Sequence, residues 1–130
     1  MKIWSKILTR SDAQQKTRGS KMPFLRLTKG KVIKDDNWFK DYFFEPLNWV
    51  DRGSISEATS KFDIYILGTF IATRELKLNH KTVRSMNHSA PRTHLLYDNF
   101  VRNHLEQVNL VGKVVRIIQK PEKNYELHFG

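Results

Sequence analysis

Two segments of this 130-residue chain carry side chains suited to gripping and reading a polyanion. The first, Thr9 to Lys21, offers Arg10, Asp12, Gln14, Gln15, Lys16, Thr17, Arg18, Ser20 and Lys21. Arg or Lys can donate to guanine O6 and N7, and Gln can both donate and accept at adenine N6 and N7. Lys, Ser and Thr suit phosphate oxygens, which position a protein on a duplex without reading its bases. The second segment, Asn79 to Arg92, repeats the mixture with His80, Lys81, Arg84, Asn87, His88 and Arg92. Asp12 is the exception in a basic stretch. It can accept from cytosine N4, or it can brace Arg10 or Arg18. The plainer reading of both segments is a pair of solvated loops on a basic protein.

A third set of residues points to a different chemistry. Asp63 and the triplet Glu75-Leu76-Lys77 have the loose spacing of metal-dependent nucleases that use Asp…Glu-x-Lys on adjacent strands. Two carboxylates would hold a divalent cation at the scissile phosphate, and Lys77 would help activate the attacking water. The competing reading is an ordinary half-solvated strand, with Glu75 and Lys77 on one face and Leu76 and Leu78 on the other. Nothing else in the chain suggests a catalytic centre or a cofactor. There is no cysteine, so disulfides, thiolate metal sites and catalytic thiols are excluded. His88 and His94 are not at metal-ligand spacing, and the six glycines are scattered, not gathered into a phosphate loop. The aromatic run Trp38, Phe39, Tyr42, Phe43, Phe44 could stack on single-stranded bases, but its helical spacing ahead of Pro46 fits core packing.

The charge is strongly segregated. Residues 1–34 hold ten basic residues against the single acid Asp12, whereas the remainder holds thirteen basic and twelve acidic residues. Leu76 to Tyr97 is again free of acids. With a formal net charge of +10 at pH 7, this pattern suggests a surface that meets nucleic acid. A hydrophobic content of 39% and an aromatic content of 12% indicate one folded domain spanning 1–130. The longest apolar runs, such as Ile64 to Leu67, are too short to cross a bilayer, and the first residues do not form a secretory signal. A cytoplasmic protein without a membrane partner is expected.

The elements that must position these segments are mostly strands. Alternation or β-rich composition predicts strands at Ile3 to Thr9, Phe24 to Thr28, Trp49–Val50, Lys61 to Leu67, Phe70 to Leu78, Val111 to Gln119 and Tyr125 to Phe129. Gly68-Thr69 signals a hairpin. Asp35-Asp36 marks a helix start, and Asn99 to Val108 suits a second short helix. The expected fold is mainly β: a seven-stranded open pseudobarrel with two short helices.

Three stretches together carry a family resemblance. They are Leu8 to Gln14 running on through Lys16-Thr17-Arg18-Gly19, then Trp38-Phe39 to Phe43-Phe44 with Leu47-Asn48-Trp49-Val50, and the closing Gly112 to Ile118 strand. They resemble the C-terminal DNA-recognition domain of type II restriction endonucleases whose nuclease domain is of the phospholipase-D type. The resemblance implies a DNA-binding pseudobarrel of the plant B-three type, with two arms that enter the major groove. Those arms fall on Thr9 to Lys21 and Asn79 to Arg92, and Asp63, Glu75 and Lys77 have no role in such a domain. The chain departs from those enzymes in having no nuclease domain and no His-x-Lys signature. It is therefore expected to be an excised or stand-alone recognition domain, with double-stranded DNA as partner and a nuclease domain or subunit as a second one. The rival expectations are a small metal-dependent nuclease using Asp63, Glu75 and Lys77, and an RNA-binding accessory protein.

Overall fold

From Ser56 to Ile66 every second side chain is buried, and this alternation sets the inner face of the longest hairpin. The computed structural model describes residues 2–15, 22–27, 38–81, 92–122 and 124–130. Its strands are β1 (Ile3–Ile7), β2 (Phe24–Leu27), β3 (Val50–Arg52), β4 (Ile55–Ile66), β5 (Thr69–Lys81), β6 (Arg92–Leu96), β7 (Val114–Gln119) and β8 (Tyr125–Phe129). They form one sheet in the order β1-β7-β8-β4-β5-β6-β2, with β3 paired to β4 off this path. The protein is mainly β, an open, curled half-barrel with seven strands along its path and two helical segments among the described residues. All neighbours are antiparallel except β4 and β8.

The curl wraps one apolar core. Phe62 and Ile64 of β4, Leu76 and Leu78 of β5, Leu95 of β6, Val115 and Ile117 of β7, and Tyr125, Leu127 and Phe129 of β8 all face inward. Phe43 and Phe44 fill the concave side, and Tyr125 packs its ring on Phe44 at 4.9 Å while its hydroxyl donates to the Phe43 carbonyl at 3.1 Å. The aromatic run is thus core, with only Tyr42 left half exposed. The predicted helix start at Asp35-Asp36 lies outside the described residues. The first helical segment is a single π-helical turn, Phe39–Phe43, closed by the Phe44 N–H donating to the Phe39 carbonyl at 2.7 Å and stopped ahead of Pro46. The second, α1 (Asn99–Glu106), starts on Asp98, whose carboxylate accepts from the Val101 N–H at 2.9 Å and pairs with Arg74 at 2.7 Å. Its Val101 and Leu105 are buried against the sheet.

The largest departures from the sequence expectation lie in β4, β5 and β6, while β1 and β7 are shorter than expected by two and three residues. β4 starts six residues before Lys61, because the inward positions there are Ser56, Ala58 and Ser60, which hide the alternation from a hydropathy reading. β5 runs three residues past Leu78 and so takes in His80 and Lys81. β6 lies where no strand was predicted and pairs with both β5 and β2. The β4–β5 turn sits on Leu67 and Gly68, at φ +49° and +81°, the positive pair that a two-residue hairpin requires.

Candidate nucleic-acid interface

The half-barrel leaves β1 and β2 as its two ends, and the Thr9–Gln15 segment bridges them. Thr9 and Asp12 form a reciprocal cap. The Thr9 hydroxyl accepts from the Asp12 N–H at 3.2 Å, and the Asp12 carboxylate accepts from the Thr9 N–H at 3.1 Å. The same carboxylate pairs with the Lys6 ammonium of β1 at 2.8 Å and accepts from the Arg26 N–H of β2 at 3.4 Å. Lys6 itself reaches the Arg26 carbonyl at 2.8 Å. Side chains thus close a seam that no strand ladder closes. Tyr97 completes it from inside by donating its hydroxyl to the Asp12 carbonyl at 2.7 Å. Burial, with the nearby Asp12 charge, pushes the Tyr97 phenol far above its ordinary range.

Beyond Asp12 the chain turns through Gln14, whose φ of +56° is unusual for a side-chain-bearing residue. Its amide fixes that turn. Nε2 donates to the Ser11 carbonyl at 2.8 Å and the Met22 carbonyl at 2.7 Å, while Oε1 accepts from Arg102 of α1 at 3.1 Å. Gln15 donates to the Leu105 and Val108 carbonyls at 3.0 and 2.7 Å, near the end of α1. The Ser11 hydroxyl accepts from the Met22 N–H at 3.3 Å. The first segment therefore departs at Gln15 and re-enters at Met22 through a neck tied to the body. The second departs at Lys81 and re-enters at Arg92, which are register partners on β5 and β6. Beside that exit the buried His80 ring shares a 2.7 Å hydrogen bond with the Thr93 hydroxyl.

The two necks border the same groove. Thr9, Ser11, Asp12 and Met22 of the first neck, with Lys6, Phe24 and Arg26, face Arg92 and His94 of the second across a cavity of about 320 Å³. Among the described residues, three permanent cations border it beside one carboxylate that Lys6 already neutralises. His94 lies flat on Phe24, with ring centroids 3.9 Å apart. Burial, then the charges of Arg26, Arg92 and Lys6, lowers its pKa to about 4, so the ring is neutral at pH 7.

This placement sorts the sequence candidates. Arg10, Lys81 and Arg92 are exposed at the necks. Lys16, Thr17, Arg18, Ser20, Lys21, Arg84, Asn87 and His88 lie outside the described residues. Asp12, Gln14 and His80 are at most 3% exposed, and their polar atoms bond within the protein. Buried in this way, and together with the tethered Gln15, they shape the necks. Of the two roles open to Asp12, the described residues show it bracing, with Lys6 as the cation; Arg18 lies outside them. Lys6, Arg26 and His94, which line the groove, were not among the candidates. The Thr-x-x-Asp capping spacing could have revealed the Asp12 role, and the outward phase of Arg26 on its short strand could have revealed that residue.

No family model, curated protein or solved structure matches this chain. The geometry of its side chains therefore carries the functional argument.

The nuclease spacing resolves into three separate pairings. Asp63 is held by Lys120 and by the Thr73 hydroxyl at 2.6 Å. The hydrogen bond from Lys120, followed by the one from Thr73, holds the Asp63 carboxyl below its ordinary pKa. Glu75 stands opposite Lys61 in the β4–β5 register, and Lys77 lies 3.8 Å from Glu57. Among the described residues no three histidines or carboxylates gather where a metal ion could be held.

Proposed function

We propose that this chain is a non-catalytic module that binds double-stranded DNA sequence-specifically, as the target-recognition domain of a restriction endonuclease does. The segments Thr9 to Lys21 and Asn79 to Arg92 act as two arms on the duplex. The observation that carries this reading is the groove shared by their necks, where, among the described residues, Lys6, Arg26 and Arg92 outnumber one paired carboxylate. Cations fixed on a rigid sheet edge favour phosphate oxygens, and each phosphate neutralised releases bound counterions from the DNA. Both necks are tied by internal hydrogen bonds, so the arms leave the body from fixed points. Base reading then falls to Arg10, Lys16, Arg18 and Lys21 of one arm and Lys81, Arg84, Asn87 and Arg92 of the other. A nuclease domain or subunit is the protein partner this function implies, and the cytoplasm is the compartment where it would operate. Among the described residues no helix is long and apolar enough to cross a membrane.

Selection from a random duplex library at near-physiological salt tests the proposal. An enriched motif of about four to six base pairs supports specific recognition. Binding that fades with salt without enriching any sequence overturns it in favour of a sequence-blind polyanion binder. Competition with duplex RNA of the same sequence adds a second check, since the A-form major groove is too narrow for side chains to read.

A further inference from the structure

His94 lines the groove between the two necks. It stands on the outer face of β6, opposite Arg26 of β2 on one side and Asn79 of β5 on the other. Its Nε2 is buried without a hydrogen-bond partner among the described residues, and so is Oδ1 of Asn79, its register partner. A buried polar atom left unpaired is costly and calls for an explanation. Among the described residues, charged groups near the ring come from each neighbouring element. They are Lys6 of β1, Asp12 of the first neck and Arg26 of β2, with Arg92 on β6 itself and its register partner Lys81 on β5. Glu57 of β4 lies beyond Asn79 in the same cross-strand row, where Arg52 and Lys77 compensate it.

We propose that His94 is a proton-coupled anion receptor: a phosphate of bound nucleic acid entering this groove draws a proton onto the imidazole, so that binding tightens as pH falls. This deepens the DNA-binding reading and rests on it for the identity of the anion. The free protein keeps the ring neutral because it is desolvated and surrounded by cations. A phosphate among Lys6, Arg26 and Arg92 cancels that repulsion and stabilises imidazolium instead. The protonated ring carries N–H on both nitrogens, and Asn79 Oδ1 supplies an acceptor for which the neutral protein shows no donor. By linkage, a group that gains up to one proton on binding raises the association constant as pH decreases, at most about tenfold per pH unit. The effect lies between the free pKa of about 4 and the higher pKa of the complex.

The test is duplex binding by fluorescence anisotropy from pH 5 to 8, for wild type and His94→Gln, alongside NMR titration of His94 in the wild-type protein. The NMR arm is recorded free, with duplex DNA and with inorganic phosphate, and it needs no variant to fold. A wild-type slope that His94→Gln flattens, with a His94 pKa raised by duplex, is the expected result. Equal slopes with an unmoved His94 pKa overturn the receptor while leaving DNA binding intact. Absence of duplex binding at every pH overturns the DNA reading. In that case a His94 pKa raised by inorganic phosphate upholds the anion receptor, and an unmoved one removes it.

Discussion

Two lysine–carboxylate pairs occupy opposite situations on this sheet. Asp12 and Lys6 lie at the seam between β1 and β2, where the Asp12 side chain is 4% exposed and that of Lys6 15%. Asp63 and Lys120 lie on the outer face near β8, at 23% and 32%. Around Asp63 the charges balance locally: Lys120 also approaches Glu126 at 3.8 Å, and Glu126 accepts from His128 at 3.0 Å. Around Asp12 they do not, because Arg26 and Arg92 border the same cavity with no further carboxylate among the described residues that line it. An ion pair closes each site, but among the described residues the seam has cations left over where the Asp63 site has none. A lone acid within a basic stretch can thus be the fastening that gathers cations, rather than a reader of bases.

Removing the fastening should have the largest effect. Asp12→Ala breaks the cap, frees the Thr9 and Arg26 N–H groups and removes a buried carboxylate from the partly exposed Lys6 ammonium. A loss of about 3 kcal/mol or more is expected in urea denaturation, in line with breaking a buried pair. Next come the two arginines of the groove, which form no ion pair among the described residues. Arg26→Ala and Arg92→Ala should each lower the slope of log affinity against log salt by about one unit for any duplex sequence. Lys120→Ala, taken from the balanced site, should leave that slope unchanged. If all three behave alike in salt-titrated binding, the contrast between the two regions fails.

Acid should separate the regions as well. The folded pKa of His94, about 4, lies below its ordinary value of 6.5, so the unfolded chain binds the proton more readily. The associated stability is therefore present above pH 6.5 and declines as pH falls toward 4. His94→Gln should flatten that decline in thermal unfolding followed across this range. Asp63 is depressed from a lower starting value, so its contribution persists to about pH 4 and is lost only as pH falls further. The smallest effect is Asp63→Asn, expected to cost about 1 kcal/mol or less at neutral pH because the pair is partly solvated.

Much of the frame is legible along the chain. Alternation finds both long hairpin strands around Gly68, the closing hairpin of β7 and β8, and the core role of Phe39, Phe43 and Phe44, because each depends on periodicity within a few residues. β6 is not legible, since Arg92 to Leu96 is short and gains strand character only by pairing with β5 and β2. Gln14 and His80 look like surface readers because their chemistry suits bases. Their burial depends on partners at Met22, Arg102 and Thr93, which lie 8 to 88 residues away.

By itself the sequence determined the mainly β class, the charge segregation and the two polar segments, all properties of local composition and periodicity. Only the tertiary structure decided that Lys6, Arg26, Arg92 and His94 border one groove. That meeting depends on the strand order β1-β7-β8-β4-β5-β6-β2, whose curl brings its two end strands to the Asp12 seam. Which strands pair across such separations is set by burying every inner face at once, and no single window of residues contains that information.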